Sequence, residues 1–445
     1  MGMIWWRWCC VLLILLLEIS STSSRSIVKN LPGFGDLPFN LETGYTGVGD
    51  KEEVNLFYYF VESQRSPTTD PLLLWLIGGP ACSALSAFFY ENGPLVFNYA
   101  NFTGSLPELQ LNPNSWTKFL NIIYVDSPVG TGFSYSTTQQ GYYTNDSKSI
   151  ENLYDFLQKW LVDHPEFGSN PLYIGGGSYA GMVVPPLVQN VYQGSQAGIM
   201  PLMNIQGYVL ASPAIDYFLI NNSRVEFAYR ASLISDKLYE SIKASCNGDY
   251  VNIDPNNKKC VSDYEAYSKL VSEINIYNIY QPNCVLYNEN QRILFEDSHQ
   301  IIAASTFWCR DYLYVLCEVW ANDHNVRKAL HVREGTKGQF TRCNRTGLAY
   351  TADISSVTQH HQSLTNTNLR SLIFCGDVDL AAPHTGTQSW IQTSLNNLHV
   401  YNTWRPWYVD RQVAGYTETY GNNEFNLTYA TVKARSGSCG ARAQA

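Results

Sequence analysis

The stretch that decides the fold runs from Leu172 to Gly181 and reads Leu172-Tyr173-Ile174-Gly175-Gly176-Gly177-Ser178-Tyr179-Ala180-Gly181. Its apolar start predicts a buried strand, and the glycines predict a sharp turn into a helix. A serine on such a turn projects its hydroxyl clear of the sheet, where a base can activate it. The pattern G-x-S-x-G is matched except at its end, where Ala180 stands. We therefore predict that Ser178 is a nucleophile; the alternative is a glycine-rich loop that only begins a helix.

Three further apolar runs end in turn residues, as strands buried on both faces do. They are residues 72–77, which precede Gly78-Gly79-Pro80, residues 121–125, and residues 372–374, which lead toward Asp379. Helical patterns lie between them, as at residues 150–163. Strands that alternate with helices predict a mostly parallel sheet with functional loops at its carboxyl edge. Late strands are predicted at residues 398–404 and 427–432.

Residues from about 217 to 310 interrupt this alternation. They are rich in Asn, Ser and Tyr and contain several cysteines. We interpret them as a cap inserted into one α/β domain that spans residues 26–445.

The N-terminus has the layout of a secretory signal peptide, which we assign to residues 1–25. Arg7 precedes the apolar run 9–17 and the small polar residues 20–24. A membrane anchor would need about 20 apolar residues, so no membrane association is expected after signal removal. Entry into the secretory pathway predicts a secreted or vacuolar glycoprotein, and five sequons agree with it: Asn101, Asn145, Asn221, Asn344 and Asn426.

Composition excludes several other classes of protein. The 445 residues are 45% hydrophobic and can bury a large core, while a net charge of -9 argues against a nucleic-acid surface. Of eleven cysteines, two lie in the leader, which leaves an odd nine for an oxidising compartment. No Cys/His cluster has zinc spacing, so we expect neither a metal nor a cofactor.

Acyl transfer also needs hydrogen-bond donors aimed at the oxyanion that develops on the substrate. The loop Gly78-Gly79-Pro80-Ala81-Cys82 follows an early strand and can present the Gly79 amide, while the Tyr179 amide directly follows the nucleophile. This is the two-donor arrangement of serine enzymes built on such a sheet. The alternative for Gly78-Gly79-Pro80 is a tight turn.

Together these residues resemble the serine carboxypeptidase family, and within it the plant serine carboxypeptidase-like acyltransferases. The family is matched by residues 75–83, 126–135 and 376–379 and by the Ser178 turn; the plant group is matched by residues 31–34, 41–45 and 163–167. The resemblance implies an α/β-hydrolase fold, a mostly parallel central sheet with an inserted cap. It also implies a triad in the order Ser, Asp, His, with Ser178 as nucleophile, Asp379 orienting the imidazole and Asp377 in a structural role.

The resemblance further implies three disulfides. They are Cys82–Cys343, Cys246–Cys260 and Cys284–Cys309, and they leave Cys317, Cys375 and Cys439 unpaired.

Two positions depart from the peptidases of the family, in which an Asn before the Gly-Gly turn and a Glu before the nucleophile bind the terminal carboxylate of a peptide. This chain has Ile77 and Gly177 there, and neither side chain can hold a carboxylate. The resemblance therefore implies transfer of an acyl group from a sugar ester to an alcohol acceptor, with a serine-type carboxypeptidase as the alternative. The expected partners are these small molecules, and the oligomeric state is left open.

The largest departure concerns the histidine of the triad, which in the family would fall near Gly437. We expect residues 434–445 to be an aberrant tail in place of the histidine loop and last helix, and activity to be impaired. After Asp379 the histidines are His384 and His399, neither in the expected position. Two alternatives are a non-catalytic binding or partner protein, and a tail that comes from a spliced or misread transcript.

Overall fold

The computed structural model describes residues 25–98, 102, 105–281, 283 and 310–433. The predicted leader, Asn101, Cys284, Cys309, Cys439 and the tail 434–445 lie outside these residues. The described strands are β1 Ser26–Leu31, β2 Gly35–Val48, β3 Val54–Val61, β4 Leu72–Leu76, β5 Leu95–Phe97, β6 Leu109–Leu111, β7 Asn121–Val125, β8 Tyr135–Ser136, β9 Thr144–Asn145, β10 Leu172–Gly177, β11 Ile205–Ala211, β12 Tyr350–Thr351, β13 Arg370–Gly376, β14 His399–Val409, β15 Gln412–Gly421 and β16 Asn426–Val432.

The described helices lie mostly between strands of the large sheet, and three short 3-10 turns accompany them at Trp116–Lys118, Gln140–Tyr142 and Pro165–Phe167. They are α1 Leu85–Tyr90, α2 Asp146–Asp163, α3 Ala180–Gln196, α4 Tyr217–Arg230, α5 Asp236–Cys246, α6 Lys258–Val271, α7 Arg310–Asn322, α8 His324–Ala329, α9 Thr358–Leu364 and α10 His384–Ser394. Among the described residues, none of these helices is long and apolar enough to cross a membrane.

A twelve-stranded sheet organises the molecule, with β8 attached to β3 and the other strands in the order β1-β2-β3-β7-β4-β10-β11-β13-β16-β15-β14. The six strands from β7 to β16 in this order run parallel, and antiparallel strands flank them on both sides. The mostly parallel centre predicted from the apolar runs is confirmed. Because parallel strands end at the same edge, the loops after β4, β7, β10, β11 and β13 gather there.

Both faces of the sheet are covered by apolar packing. Along β4, Leu74 contributes to one core and Trp75 to the other, because successive side chains of a strand point to opposite faces. The first core packs against α2 and α3, where Trp160 is fully buried; the second packs against α1 and α7, where Trp320 is fully buried. The central strands therefore read as continuous apolar runs.

The predicted cap is helical where the structure describes it. Helices α4, α5 and α6 form a small core of their own that includes Val225, Ile242 and Tyr267. A disulfide between Cys246 and Cys260 joins α5 to α6. The rest of the predicted cap, residue 282 and residues 284–309, lies outside the described residues.

Candidate active site

Ser178 lies on a strained turn between β10 and α3. Its φ is 57°, a left-handed conformation that non-glycine residues rarely adopt, and its side chain is exposed. The backbone is held on both sides, because Ser178 N donates to Ala211 O and Ser178 O accepts from the amides of Gly181 and Ala214. Gly176 cannot be replaced, since a Cβ there would lie 2.4 Å from Leu76 O. This is the conformation expected of a nucleophile elbow.

The register of the sheet brings the predicted site residues to one edge. Gly177 pairs with Ala211 and Ala211 pairs with Phe374, so the loops after β10, β11 and β13 begin side by side. On the other side Gly176 pairs with Leu76, which is followed by the predicted oxyanion loop. The sheet therefore places Ser178 between that loop and the turn that carries Asp379.

The two predicted oxyanion donors are the amides of Gly79 and Tyr179. Gly78 lies so close to the elbow that a Cβ on it would be 2.7 Å from Tyr179 N. Gly79 has φ +138°, which favours glycine. Within the described residues neither amide donates to another backbone group. Both are available for a substrate oxygen, and their assignment as oxyanion donors stays a prediction.

The oxyanion loop, which we define as residues 77–84, is tied to a distant segment of the chain. Cys82 forms a disulfide with Cys343, 261 residues away. Two backbone hydrogen bonds flank the disulfide, from Ser83 N to Arg342 O at 2.7 Å and from Asn344 N to Ala81 O at 2.8 Å. The Gly79 amide thus belongs to a loop that is fixed on its outer side.

A buried carboxylate fixes the same loop from the inner side. Asp126, at the end of β7, is fully buried; its Oδ1 accepts from Ser83 Oγ at 2.7 Å and from Ala84 N at 2.8 Å, and its Oδ2 accepts from Phe133 N at 2.8 Å. Burial raises the pKa of Asp126 to about 6. A Cβ at Gly132 would overlap this carboxylate at 2.0 Å. Asp126 lies in one of the motifs that match the family, but its contact with the oxyanion loop was not predicted, and the nearby Gly132 is the sequence signal for it.

Asp379 lies in the turn after β13 and is buried. Its Oδ1 accepts hydrogen bonds from the amides of Ala381 and Ala382 at 2.8 Å and 3.0 Å, which fix the carboxylate in the turn. Asp377 is half-buried, and its amide donates to Val432 O, which joins this turn to the end of β16. The roles of both residues in a triad stay predictions.

His384, five residues after Asp379, begins α10 and packs edge-on against Phe227 with ring centres 5.8 Å apart. Burial lowers the pKa of its imidazole, and Arg230 lowers it further. His399 is on β14, three strands from β13, which corresponds to about 14 Å across the sheet.

Most other described histidines have structural partners. His164 Nε2 lies 2.8 Å from a Glu42 carboxylate oxygen, His360 Nδ1 lies 2.7 Å from Gln189 Oε1, and His361 Nδ1 lies 2.9 Å from Tyr208 Oη. Burial lowers the pKa of His361 to about 3, so this imidazole is neutral. His324 and His331 are exposed, and His299 lies outside the described residues.

The positions that hold a carboxylate in related peptidases are occupied differently here. A Cβ at Gly177 would meet only ordinary contacts, the nearest being Ala211 O at 3.6 Å and Glu91 Oε1 at 3.8 Å. Glu91 Oε2 accepts a hydrogen bond from Trp75 Nε1 at 2.7 Å. An acidic group therefore lies beside Gly177, next to the nucleophile, where sequence reasoning had identified only Ile77 and Gly177.

Two of the three expected disulfides, Cys82–Cys343 and Cys246–Cys260, are present. Cys317 and Cys375 are free, as expected, and burial raises the pKa of both thiols. Cys284–Cys309 lies outside the described residues. No group of metal-ligating side chains is found in the described part of the chain.

The sequon asparagines that the structure describes are accessible. Asn426 is exposed, and Asn145, Asn221 and Asn344 are partly exposed. Glycosylation of these sites stays a prediction.

The exposed Ser178 on its elbow, the two unengaged amides and the acidic turn after β13 have the arrangement of a site of the α/β-hydrolase class. The chain belongs to the serine carboxypeptidase family, whose model matches residues 32–437. It is 46% identical to serine carboxypeptidase-like 10 of Arabidopsis thaliana over 95% of this chain and 92% of the relative, and 46% identical to serine carboxypeptidase-like 8 of the same plant over the same shares.

A solved structure has the same fold. The crystal structure of Kex1(delta)p, a prohormone-processing carboxypeptidase from Saccharomyces cerevisiae, aligns with a TM-score of 0.70 over 92% of each chain at 18% identity. The predicted α/β-hydrolase fold is thereby confirmed.

Proposed function

We propose that this protein is by lineage a serine-dependent acyltransferase that moves an acyl group from a sugar ester to an alcohol acceptor. The observation that carries the proposal is the surface beside Ser178. Neither Ile77 nor Gly177 has a side chain that can hydrogen-bond a terminal carboxylate, whereas the related peptidases have an Asn and a Glu at these two positions, and this difference disfavours a substrate with a free terminal carboxylate.

Apart from the base, each step of the transfer has a group to perform it. The Ser178 hydroxyl oxygen attacks the carbonyl carbon of the ester and loses its proton to a base, while the amides of Gly79 and Tyr179 stabilise the oxyanion. The bond between the carbonyl carbon and the sugar oxygen then breaks, and the sugar leaves with the proton. An alcohol attacks the acyl-serine in turn, and Ser178 regains its proton as the new ester leaves.

The base is the part of this scheme that the chain lacks in the family position. Gly437 stands near the place of the family histidine, and loss of the histidine from a serine triad costs about a millionfold in turnover. The oxyanion donors and the bound substrate retain a small residual rate. We propose that a chain with Gly437 there is impaired in turnover while Ser178 and its donors stay in place.

We also propose that the protein enters the secretory pathway and is secreted or vacuolar. Support comes from the signal-like residues 1–25, from two disulfides that an oxidising compartment maintains, and from the plant relatives.

Competing substrates test the proposed reaction. The protein is incubated with 1-O-benzoyl-glucose and glycerol, or with a blocked dipeptide that has a free terminal carboxylate, each with added imidazole to replace the missing base. We expect benzoyl-glycerol and glucose by chromatography, no dipeptide hydrolysis, and no product from Ser178→Ala. Dipeptide hydrolysis faster than ester transfer would show a carboxypeptidase instead.

A further inference from the structure

We propose that Asp146 is a positioning residue that holds the side chain of Tyr179, and thereby the Tyr179 amide, in place beside the oxyanion loop. The inference rests on the proposed function, because it assigns a role in oxyanion binding. Asp146 is the first residue of α2 and is distant in sequence from both donors.

The contacts of Asp146 connect three separate segments. Its carboxylate is fully buried, and its Oδ1 accepts a hydrogen bond from Tyr179 Oη at 2.8 Å. The same oxygen accepts from Tyr350 Oη, and Oδ2 accepts from Ile354 N at 3.0 Å. Of these partners, Tyr179 is the one that belongs to the nucleophile elbow.

Tyr179 is well placed to transmit this contact. It directly precedes α3, and its backbone amide is the donor that faces Gly78. Burial and the hydrogen bond to Asp146 raise the pKa of its phenol, so the hydroxyl keeps its proton and stays a donor. The side chain and the amide of one residue therefore connect the buried carboxylate to the oxyanion site.

Backbone contact at Gly78 brings the elbow and the oxyanion loop together, but packing around the Tyr179 side chain is incomplete. A cavity of about 30 Å³ is lined by Tyr179 and Tyr350 and by Ile77, Pro80 and Ala81 of the oxyanion loop, among other residues. Because packing leaves space beside the Tyr179 side chain, its directional hydrogen bond to Asp146 fixes the orientation of that side chain.

A purely structural role for Asp146 makes a different prediction. An acid in the first turn of a helix is stabilising in itself, but the N-cap of α2 is already made by Asn145, whose Oδ1 accepts from Lys148 N at 2.7 Å. If Asp146 only anchored α2, loss of the Tyr179 hydroxyl and loss of the Tyr350 hydroxyl would change the reactivity of Ser178 equally. If Asp146 positions the Tyr179 amide, loss of the Tyr179 hydroxyl lowers the reactivity of Ser178 more than loss of the Tyr350 hydroxyl does.

The test compares Tyr179→Phe with Tyr350→Phe, which each remove one hydroxyl from the same carboxylate oxygen. We measure the rate at which a fluorophosphonate modifies Ser178 in the presence of imidazole, because its phosphoryl oxygen enters the oxyanion site. Tyr179→Phe should lower the rate by about tenfold, less than the 10²–10³ loss of a whole donor. Tyr350→Phe should change it by less than about twofold, with a similar loss of thermal stability in both.

Asp146→Asn should reproduce the effect of Tyr179→Phe, and the double variant should be no slower than the slower single variant, since both changes break one interaction. Equal rates for the two tyrosine variants would overturn the inference. If the parent protein is not modified at Ser178 at all, the proposed function fails. The inference is then decided by hydrogen exchange, which should rise in the peptide around Tyr179 in Tyr179→Phe and not in Tyr350→Phe.

Discussion

Gly78 lies in direct contact with Ser178: a Cβ built on Gly78 would be 2.6 Å from the Ser178 Cβ. Two segments that are 100 residues apart in sequence are thereby pressed together at the ends of the adjacent parallel strands β4 and β10. The absence of a side chain at position 78 lets the oxyanion loop approach the elbow. The distance between the nucleophile and its predicted donors is set by this approach.

The first prediction compares two glycines beside Ser178. Gly78→Ala should displace the elbow or the loop, because real Cβ atoms do not approach within 2.6 Å, and overpacking of this kind costs about 1–3 kcal/mol. Gly177→Ala meets nothing closer than 3.6 Å and should leave stability within about 0.5 kcal/mol of the parent. Denaturant unfolding and modification of Ser178 measure both effects. Equal stability and equal Ser178 reactivity in the two variants would contradict the close contact between Gly78 and Ser178.

The second prediction concerns the pH dependence contributed by Asp126. Its pKa is raised from 3.8 to about 6 in the folded protein. Between these pH values the folded state binds more protons than the unfolded state. The contribution of Asp126 to the free energy of unfolding is therefore full below about pH 4 and is lost as the pH rises through about 6. The loss is of the order of 3 kcal/mol.

Asp126→Asn removes this titration and provides the control. The stability of the parent relative to Asp126→Asn, from denaturant midpoints at pH 4, 5, 6 and 7, should fall as pH rises. The lost acceptor for Phe133 N shifts the whole curve of the variant without changing its slope. A difference that is constant across this range, or that rises with pH, would contradict the burial of an ionisable Asp126.

The third prediction separates the two disulfides. Cys82→Ser with Cys343→Ser should lower stability by about 2–4 kcal/mol and also slow modification of Ser178, because the oxyanion loop loses its outer attachment. Cys246→Ser with Cys260→Ser frees only the helix pair α5–α6 and should leave Ser178 reactivity unchanged. If Ser178 is modified more slowly only in the variant without Cys246–Cys260, the cap and not the oxyanion loop controls the reactivity of Ser178.

The fourth prediction tests His384 as a substitute base. Its ring packs on Phe227, and burial lowers its pKa, so His384→Ala should reduce stability through lost packing. The rate of Ser178 modification per folded molecule should stay within about twofold of the parent. A fall of a hundredfold or more, reversed by added imidazole, would identify His384 as the base.

Local sequence patterns predicted the centre of the fold well. Apolar runs that end in turn residues correspond to β4, β7, β10 and β13, and the predicted helix at 150–163 corresponds to α2, which begins earlier, at Asp146. Strands buried on both faces show this pattern without any knowledge of their partners. The glycines around Ser178 were informative for the same reason, because close backbone approach excludes other residues.

Features that depend on long-range contacts were not predictable. The strand predicted at residues 398–404 extends to Val409 and pairs with β15, which was not predicted because it mixes polar residues and glycines and lacks a continuous apolar run. Asp146 and Glu91 gave no local signal, since their partners Tyr179, Tyr350 and Trp75 are far away in the chain or on another element. Such contacts follow from the register of the whole sheet.

The most direct test of the account is the mass of the protein after incubation with 1-O-benzoyl-glucose, with and without imidazole, followed by peptide mapping. We predict a slowly formed benzoyl group on Ser178 that imidazole accelerates by about tenfold or more, as expected for a serine with its oxyanion donors but without its base. Ser178→Ala should acquire no benzoyl group. A protein that remains unmodified at Ser178 under both conditions, or that is benzoylated equally fast without imidazole, would contradict the account.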